Sequence, residues 1–218
     1  MDILIGISVG IVSGILVNRV ADALIARYNL PARASKMRMW FVIGVAALAN
    51  AWLAARWGIT LYFALTVAYT FVFLVVCVTD LAHRLIFNVV ILPAILFALI
   101  TSPFSRVGWK LSLLGGVIAF VLILGVYLFA ELFARARKIH VAGGAFGQGD
   151  VKLATFMGLV VGFPHVFPAI LYTILLGGVG ALIFLAYQFI VHRRVALTAA
   201  MPYGPFFCIA GWVMMVQG

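Results

Sequence analysis

Carboxylates are few in this chain: its 218 residues carry five Asp and Glu against fifteen Lys and Arg, and charged residues of both signs make up 9%. Soluble globular domains carry roughly 25% charged residues. With 67% hydrophobic residues and a mean hydropathy of +1.25, the composition excludes that class. Cysteine is scarce too. Cys77 and Cys208 stand far apart in apolar sequence, which excludes a Cys-x-x-Cys metal knuckle and a disulfide framework and reads as two buried, reduced thiols. The four histidines, His83, His140, His165 and His192, occur singly, without ligand spacing. They read as solvated or headgroup-facing, and neither a metal site nor a cofactor is expected. Long polar stretches are missing as well: the longest, 21–38 and 135–149, are too short to bury a core of their own. The chain therefore reads as one membrane unit over 1–218, with a first helix and a short basic loop up to 38 and a helical core over 39–218. No basic segment is long or aromatic-interleaved enough for nucleic acid, so no nucleic-acid partner is expected.

What the chain has in abundance is uninterrupted apolar sequence. Runs at 3–20, 39–55, 59–79, 88–101, 111–133, 153–163, 167–191 and 202–216 approach the roughly 20 residues that cross a bilayer as helix, and they lack the period-2 alternation of a membrane barrel. The fold class is all-α: a polytopic membrane helix bundle of about eight transmembrane helices. The first run follows Asp2 and meets Arg19, with no positive start or small-residue cleavage site, so it reads as a retained helix. The fourth and sixth runs are shorter than a full crossing. Spacings such as Gly6/Gly10/Gly14 and Gly158/Gly162 read as close helix packing within the chain, with a dimer contact as the alternative.

Alternating the loops places Arg19, Arg27, Arg33, Lys36, Arg38, Arg84, Arg135, Arg137, Lys138, Lys152, Arg193 and Arg194 on one side, against Arg56, Arg106 and Lys110 on the other. By the positive-inside bias the larger group is cytoplasmic, with both termini outside. The same alternation puts Asp80 and Asp150 together at the cytoplasmic boundary.

An ionisable group at the edge of a bilayer costs free energy unless it is paired or wetted, so two carboxylates kept there point to function. Asp80 closes the third apolar run, and Arg84 and Asn88 follow at i+4 and i+8, one face of a helix if the helix continues. The plain alternative is an interfacial Asp80–Arg84 pair. Asp150 ends a glycine-rich turn, Gly143-Gly144-Ala145-Phe146-Gly147-Gln148-Gly149-Asp150, where Gly147 and Gly149 let another chain lie close to the backbone. There the plain alternative is a flexible loop with Asp150 as a helix N-cap. If helix packing brings the two carboxyls together, they share a proton: the ionised one draws a proton from water while the protonated one polarises a peptide carbonyl.

At these residues the sequence resembles the type IV prepilin peptidases, intramembrane aspartic proteases whose hallmark is Gly-x-Gly-Asp. Gly147-Gln148-Gly149-Asp150-Val151-Lys152, followed by Gly158 and Gly162, matches the second family motif closely. The first motif is similar to Asp80-Leu81-Ala82-His83-Arg84-Leu85-Ile86-Phe87-Asn88, with Phe87 where the family has proline, and Pro202-Tyr203-Gly204-Pro205-Phe206-Phe207 resembles its closing helix. The resemblance runs over about 71–209. It implies an endopeptidase of the bacterial inner membrane that cuts the basic leader from prepilins or pseudopilins at the cytoplasmic face, with Asp80 and Asp150 catalytic. Gly147, Gly149, Lys152, Arg84 and Asn88 bind substrate or support the site. Implied partners are prepilins or pseudopilins, membrane lipids and the pilus or secretion machinery. Many family members carry a zinc-binding Cys-x-x-Cys insert after the first span and N-methylate their product. Between Arg19 and Arg38 this chain has no cysteine, so the resemblance does not extend to methylation.

Family leaders are basic, and so is the surface expected to meet them, so attraction to the protein is not the recognition force. Anionic headgroups would gather the leader while the glycine-rich loop holds its backbone. The alternative from another class is a proton- or cation-coupled transporter, whose acids belong near the membrane centre. Glu131, the other acid near a span, lies close to a helix end and reads as headgroup-facing or as paired with Arg135 four residues on.

Overall fold

The computed structural model describes residues 1–31, 35–136, 147–192 and 202–217, and within them every regular element is a helix. In chain order these are α1 (Asp2–Arg27), α2 (Lys36–Trp57), α3 (Leu61–His83), α4 (Asn88–Thr101, leading into a 3-10 turn at Ser102–Phe104), α5 (Gly108–Ala136), α6 (Gln148–Val161), α7 (Val166–His192) and α8 (Gly204–Gln217). Each expected apolar run falls on one helix. Five of them, α1, α2, α3, α5 and α7, are long and apolar enough to cross a membrane. The helices α4, α6 and α8 have 14 residues each, about 21 Å of helix against a hydrocarbon core of about 30 Å. The shortness expected of the fourth and sixth runs extends to the last. Among the expected cytoplasmic cations, Arg33, Arg137, Lys138, Arg193 and Arg194 lie outside the described residues, as does His140.

Local chemistry sets the helix ends. Ser35 caps α2 by accepting the N–H of Arg38 at 3.0 Å, and Thr60 caps α3 by accepting the N–H of Phe63 at 3.2 Å. The helix α3 ends because Arg84 turns left-handed, φ 55° and ψ 39°, a conformation that cannot continue an α-helix.

Small residues let the helices meet closely. A Cβ at Gly10 would come within 2.5 Å of the Ala46 carbonyl, and one at Gly14 within 2.7 Å of the Ile43 Cα, so α1 and α2 lie backbone to backbone. Gly158 of α6 abuts Gly115 of α5 in the same way. Nearly all of α6 beyond its first turn is buried, including Leu153, Phe156, Met157 and Leu159. An apolar helix of this length, covered on all sides, is a core helix rather than a lipid-facing span. Its Phe156 ring meets Phe73 tilted at 5.1 Å and Tyr69 edge-on at 6.1 Å, fastening it to α3. At the other end of α3, the Arg106 and Arg56 guanidiniums lie over the Trp57 ring at 3.5 and 5.0 Å.

Candidate active site

Asp80 lies in the last turn of α3 and is buried. Its Oδ2 accepts the backbone N–H of Gly204 at 2.9 Å. Gly204 opens α8, and a helix N-terminus presents N–H groups with no partner inside the helix, a ready acceptor site for a carboxylate. The approach requires glycine: a Cβ at position 204 would stand 2.7 Å from the same oxygen. The two acidic motifs do not point to Gly204; the signal for it is the run Pro202-Tyr203-Gly204-Pro205, in which a proline in the first turn starts a helix right after a residue without a side chain.

Asp150 stands in the first turn of α6 and is half-buried. The helix N-cap is Gly147, not Asp150. Asp150 occupies the third helical position, and its backbone N–H donates to the Gly147 carbonyl at 3.1 Å. The nearest approach of a Cβ built on Gly147 is to Asp150 Oδ2, at 2.9 Å, so the missing side chain leaves the carboxyl its place. Gly143, Gly144 and the rest of the turn up to Phe146 lie outside the described residues.

The two carboxyls share an end of the bundle, because the segment that follows Asp80 packs on the first turns of α6. Two contacts bind the segment after Asp80 to the first turns of α6. A Cβ on Gly149 would approach the Ile86 side chain to 2.9 Å, so the chain after α3 lies flat against this glycine. Lys152 Nζ donates to Asn88 Oδ1 at 2.7 Å, joining the starts of α6 and α4, while Gln148 Nε2 donates to the Tyr127 hydroxyl of α5 at 3.2 Å. Three helix N-termini, those of α4, α6 and α8, thus gather around the C-terminus of α3.

Arg84 departs from expectation. The helix does not continue through it, so Asp80, Arg84 and Asn88 do not form one face. Arg84 is exposed and makes no ion pair with Asp80 among the described residues; its backbone N–H closes the helix on the Asp80 carbonyl at 2.7 Å. Phe87, where the resembled motif has proline, caps the start of α4, is buried among Val17, Ala21, Leu24 and Val78, and stacks on Tyr28 at 4.9 Å. It pins the segment after Asp80 to α1. The cysteines, far apart in sequence, line one groove beside Asp80. His83 and His165 are half-buried rather than solvated, each with one ring nitrogen enclosed and unpartnered. Glu131 and Arg135 form the expected ion pair, at 3.0 Å.

The model of the type IV leader peptidase family matches residues 67–184, which take in α3 from its second turn, both aspartates and most of α7. Among curated proteins, the chain is 31% identical over 141 residues to a prepilin leader peptidase/N-methyltransferase of Xanthomonas campestris pv. campestris, covering 64% of this chain and 45% of that one. It is 25% identical over 173 residues to the protein of that name from Pseudomonas aeruginosa, covering 79% and 56%. With the one from Bacillus subtilis it shares 29% over 176 residues, 77% and 63%. The chain spans about half the length of the curated relatives it matches. No solved structure matches it. With more than half of its residues matched by the family model, and with several helices long and apolar enough to cross a membrane, this multi-pass membrane chain belongs to the type IV leader peptidase family.

Proposed function

We propose that the chain is an intramembrane aspartic endopeptidase that removes the basic leader from type IV prepilins or pseudopilins at the cytoplasmic face of the bacterial inner membrane. The observation that carries this reading is that Asp80 and Asp150, 70 residues apart in sequence, come to one end of the bundle, where Gly149 of α6 lies against Ile86 and Lys152 bonds Asn88 just after Asp80. In the reaction, the ionised carboxylate takes a proton from water as the oxygen attacks the scissile carbonyl, and the protonated partner hydrogen-bonds the carbonyl oxygen. The tetrahedral intermediate collapses with proton transfer to the leaving amine, and the pair again holds one proton. Because the two groups titrate together, the shared proton belongs to the pair.

The supporting residues divide by what they touch. Gly204 holds the Asp80 carboxyl with its N–H, and Gly147, lacking a side chain, leaves the Asp150 carboxyl its place. Gly149 brings the first turn of α6 against Ile86, and Lys152 with Asn88 fixes the two helix starts. Gly147 is exposed, so an extended peptide can lie along the backbone there. Anionic lipid headgroups gather the basic leader before it reaches this backbone. Purified protein in liposomes, incubated with a panel of prepilins, tests the proposal: release of the leader from at least one is expected, and no release from any would overturn it.

A further inference from the structure

Beside Asp80 a groove of about 960 Å³ opens between α2, α3 and α8. Its α2 wall is Phe41, Val45, Leu48, Ala49 and Trp52, the face opposite the Ala46–Asn50–Ala54 stripe that α1 covers. Its α3 wall is Thr70, Phe73, Leu74, Cys77 and Leu81. Both walls repeat at three and four residues, the spacing of a seam into which the side chains of another helix fit. From Arg38 at the rim to Trp52 the α2 wall runs about 21 Å, some four turns.

The lining says what kind of chain can lie there. The Thr70 hydroxyl accepts the Trp212 indole N–H at 3.0 Å and donates to the Thr66 carbonyl, so it is already engaged. Arg38, at the end of the groove nearest the candidate site, pairs with Asp22 at 2.6 Å. The rest is apolar. An extended segment in such a groove would leave its N–H and C=O groups unpaired, whereas a helix satisfies its own. Continuity with the site fixes the direction: Cys77 and Leu81 flank Asp80 on α3, and Cys208 lies one turn beyond the Gly204 that holds the Asp80 carboxyl.

We infer that this groove is the docking seat for an apolar helix of the substrate, which continues from the bond cut at Asp80 and Asp150 down between α2, α3 and α8. The inference rests on the proposed peptidase function and adds where the retained part of the substrate lies. The helix fixes the register of the substrate, so that the bond at its membrane-edge end meets the carboxyls; the leader stays outside the groove.

The test uses the full chain in phosphatidylethanolamine–phosphatidylglycerol liposomes and two substrates with one basic leader and cut sequence. One continues into an apolar helix of about 20 residues; the other ends after the cut sequence in a diacyl lipid anchor, which holds it on the membrane without a helix. Ala49→Trp fills the groove, and Leu48→Lys places a charge on its wall at an exposed side chain. Each is expected to lower kcat/KM for the helical substrate about 10-fold or more, through crowding or a buried charge, while turnover of the lipid-anchored one stays near that of the unmodified protein. Cutting of the anchored substrate shows that a variant is folded; if Ala49→Trp does not fold, Leu48→Lys decides. Unchanged cutting of the helical substrate, or equal losses on both substrates as expected for a groove that seats lipid, overturns the docking seat and leaves the peptidase reading standing. An unmodified protein that cuts neither substrate overturns both.

Discussion

Gly204 reaches across from the start of α8 to hold Asp80 at the end of α3: its N–H lies 2.9 Å from Oδ2, where a β-carbon would come within 2.7 Å of that oxygen. Gly204→Ala must therefore rotate the carboxyl and lengthen or break the bond. A hydrogen bond to a charged group is worth about 1.5–3 kcal/mol, so leader release should fall about 10- to 100-fold. Thermal unfolding in detergent should change little, which separates a displaced carboxyl from a disrupted fold; undiminished activity would show that the contact does not position Asp80.

Removing either carboxyl should stop the reaction. Asp80→Asn and Asp150→Asn keep size and hydrogen bonding but not the exchangeable proton, and each should reduce leader release at least about 1,000-fold, near the upper end of what one acid or base contributes. Single-turnover assays with each variant make the check. Full activity in either would end the dyad.

Lys152 lies two residues from Asp150 yet turns to Asn88. Lys152→Met should lower the stability of the first turn of α6 by less than about 1 kcal/mol, as exposed polar pairs do, and leave turnover within about threefold. A complete loss of cutting with an unchanged melting curve would place the ammonium in the chemistry instead.

The glycines separate sharply by what surrounds them. Gly158 abuts Gly115 across the α5–α6 contact, and Gly10 faces the Ala46 carbonyl, whereas nothing lies within 4 Å of a β-carbon at Gly44. Gly158→Val and Gly10→Val should abolish or strongly reduce the folded yield, overpacking commonly costing about 1–3 kcal/mol and more where backbones touch. Gly44→Ala should be neutral or raise stability by up to about 1 kcal/mol, since alanine is the better helix former. Size-exclusion profiles of the three variants provide the measurement.

Apolar runs made the helices legible in the sequence, because continuous hydrophobicity of this length has few other solutions. The glycine spacings foretold the close α1–α2 and α5–α6 contacts for the same reason: a residue without a side chain inside an apolar helix needs a neighbour to justify it. What pattern could not show was how chain segments distant in sequence meet. Nothing near Asp80 signals that its acceptor will be filled by position 204, or that Cys77 and Cys208 will line one groove. The i, i+4, i+8 series from Asp80 to Asn88 suggested a continuous helix, and only the left-handed turn at Arg84 breaks it, a conformation that arginine rarely takes and that local propensity does not foretell. Phe87, where the resembled motif has proline, is buried with its ring against Tyr28, a contact between the segment after Asp80 and the end of α1 that the motif alone does not signal.

The sheathing of α6 by other helices has a consequence for how such chemistry can exist inside a membrane at all. A segment that opens with glutamine, glycine, aspartate and lysine would be expelled from oil if it had to touch it. Enclosed by its neighbours, α6 meets protein where a lipid-facing span would meet acyl chains, and its polar beginning bonds to side chains of α4 and α5. The long outer helices can therefore be as greasy as the bilayer demands, because none of them has to carry the chemistry alone.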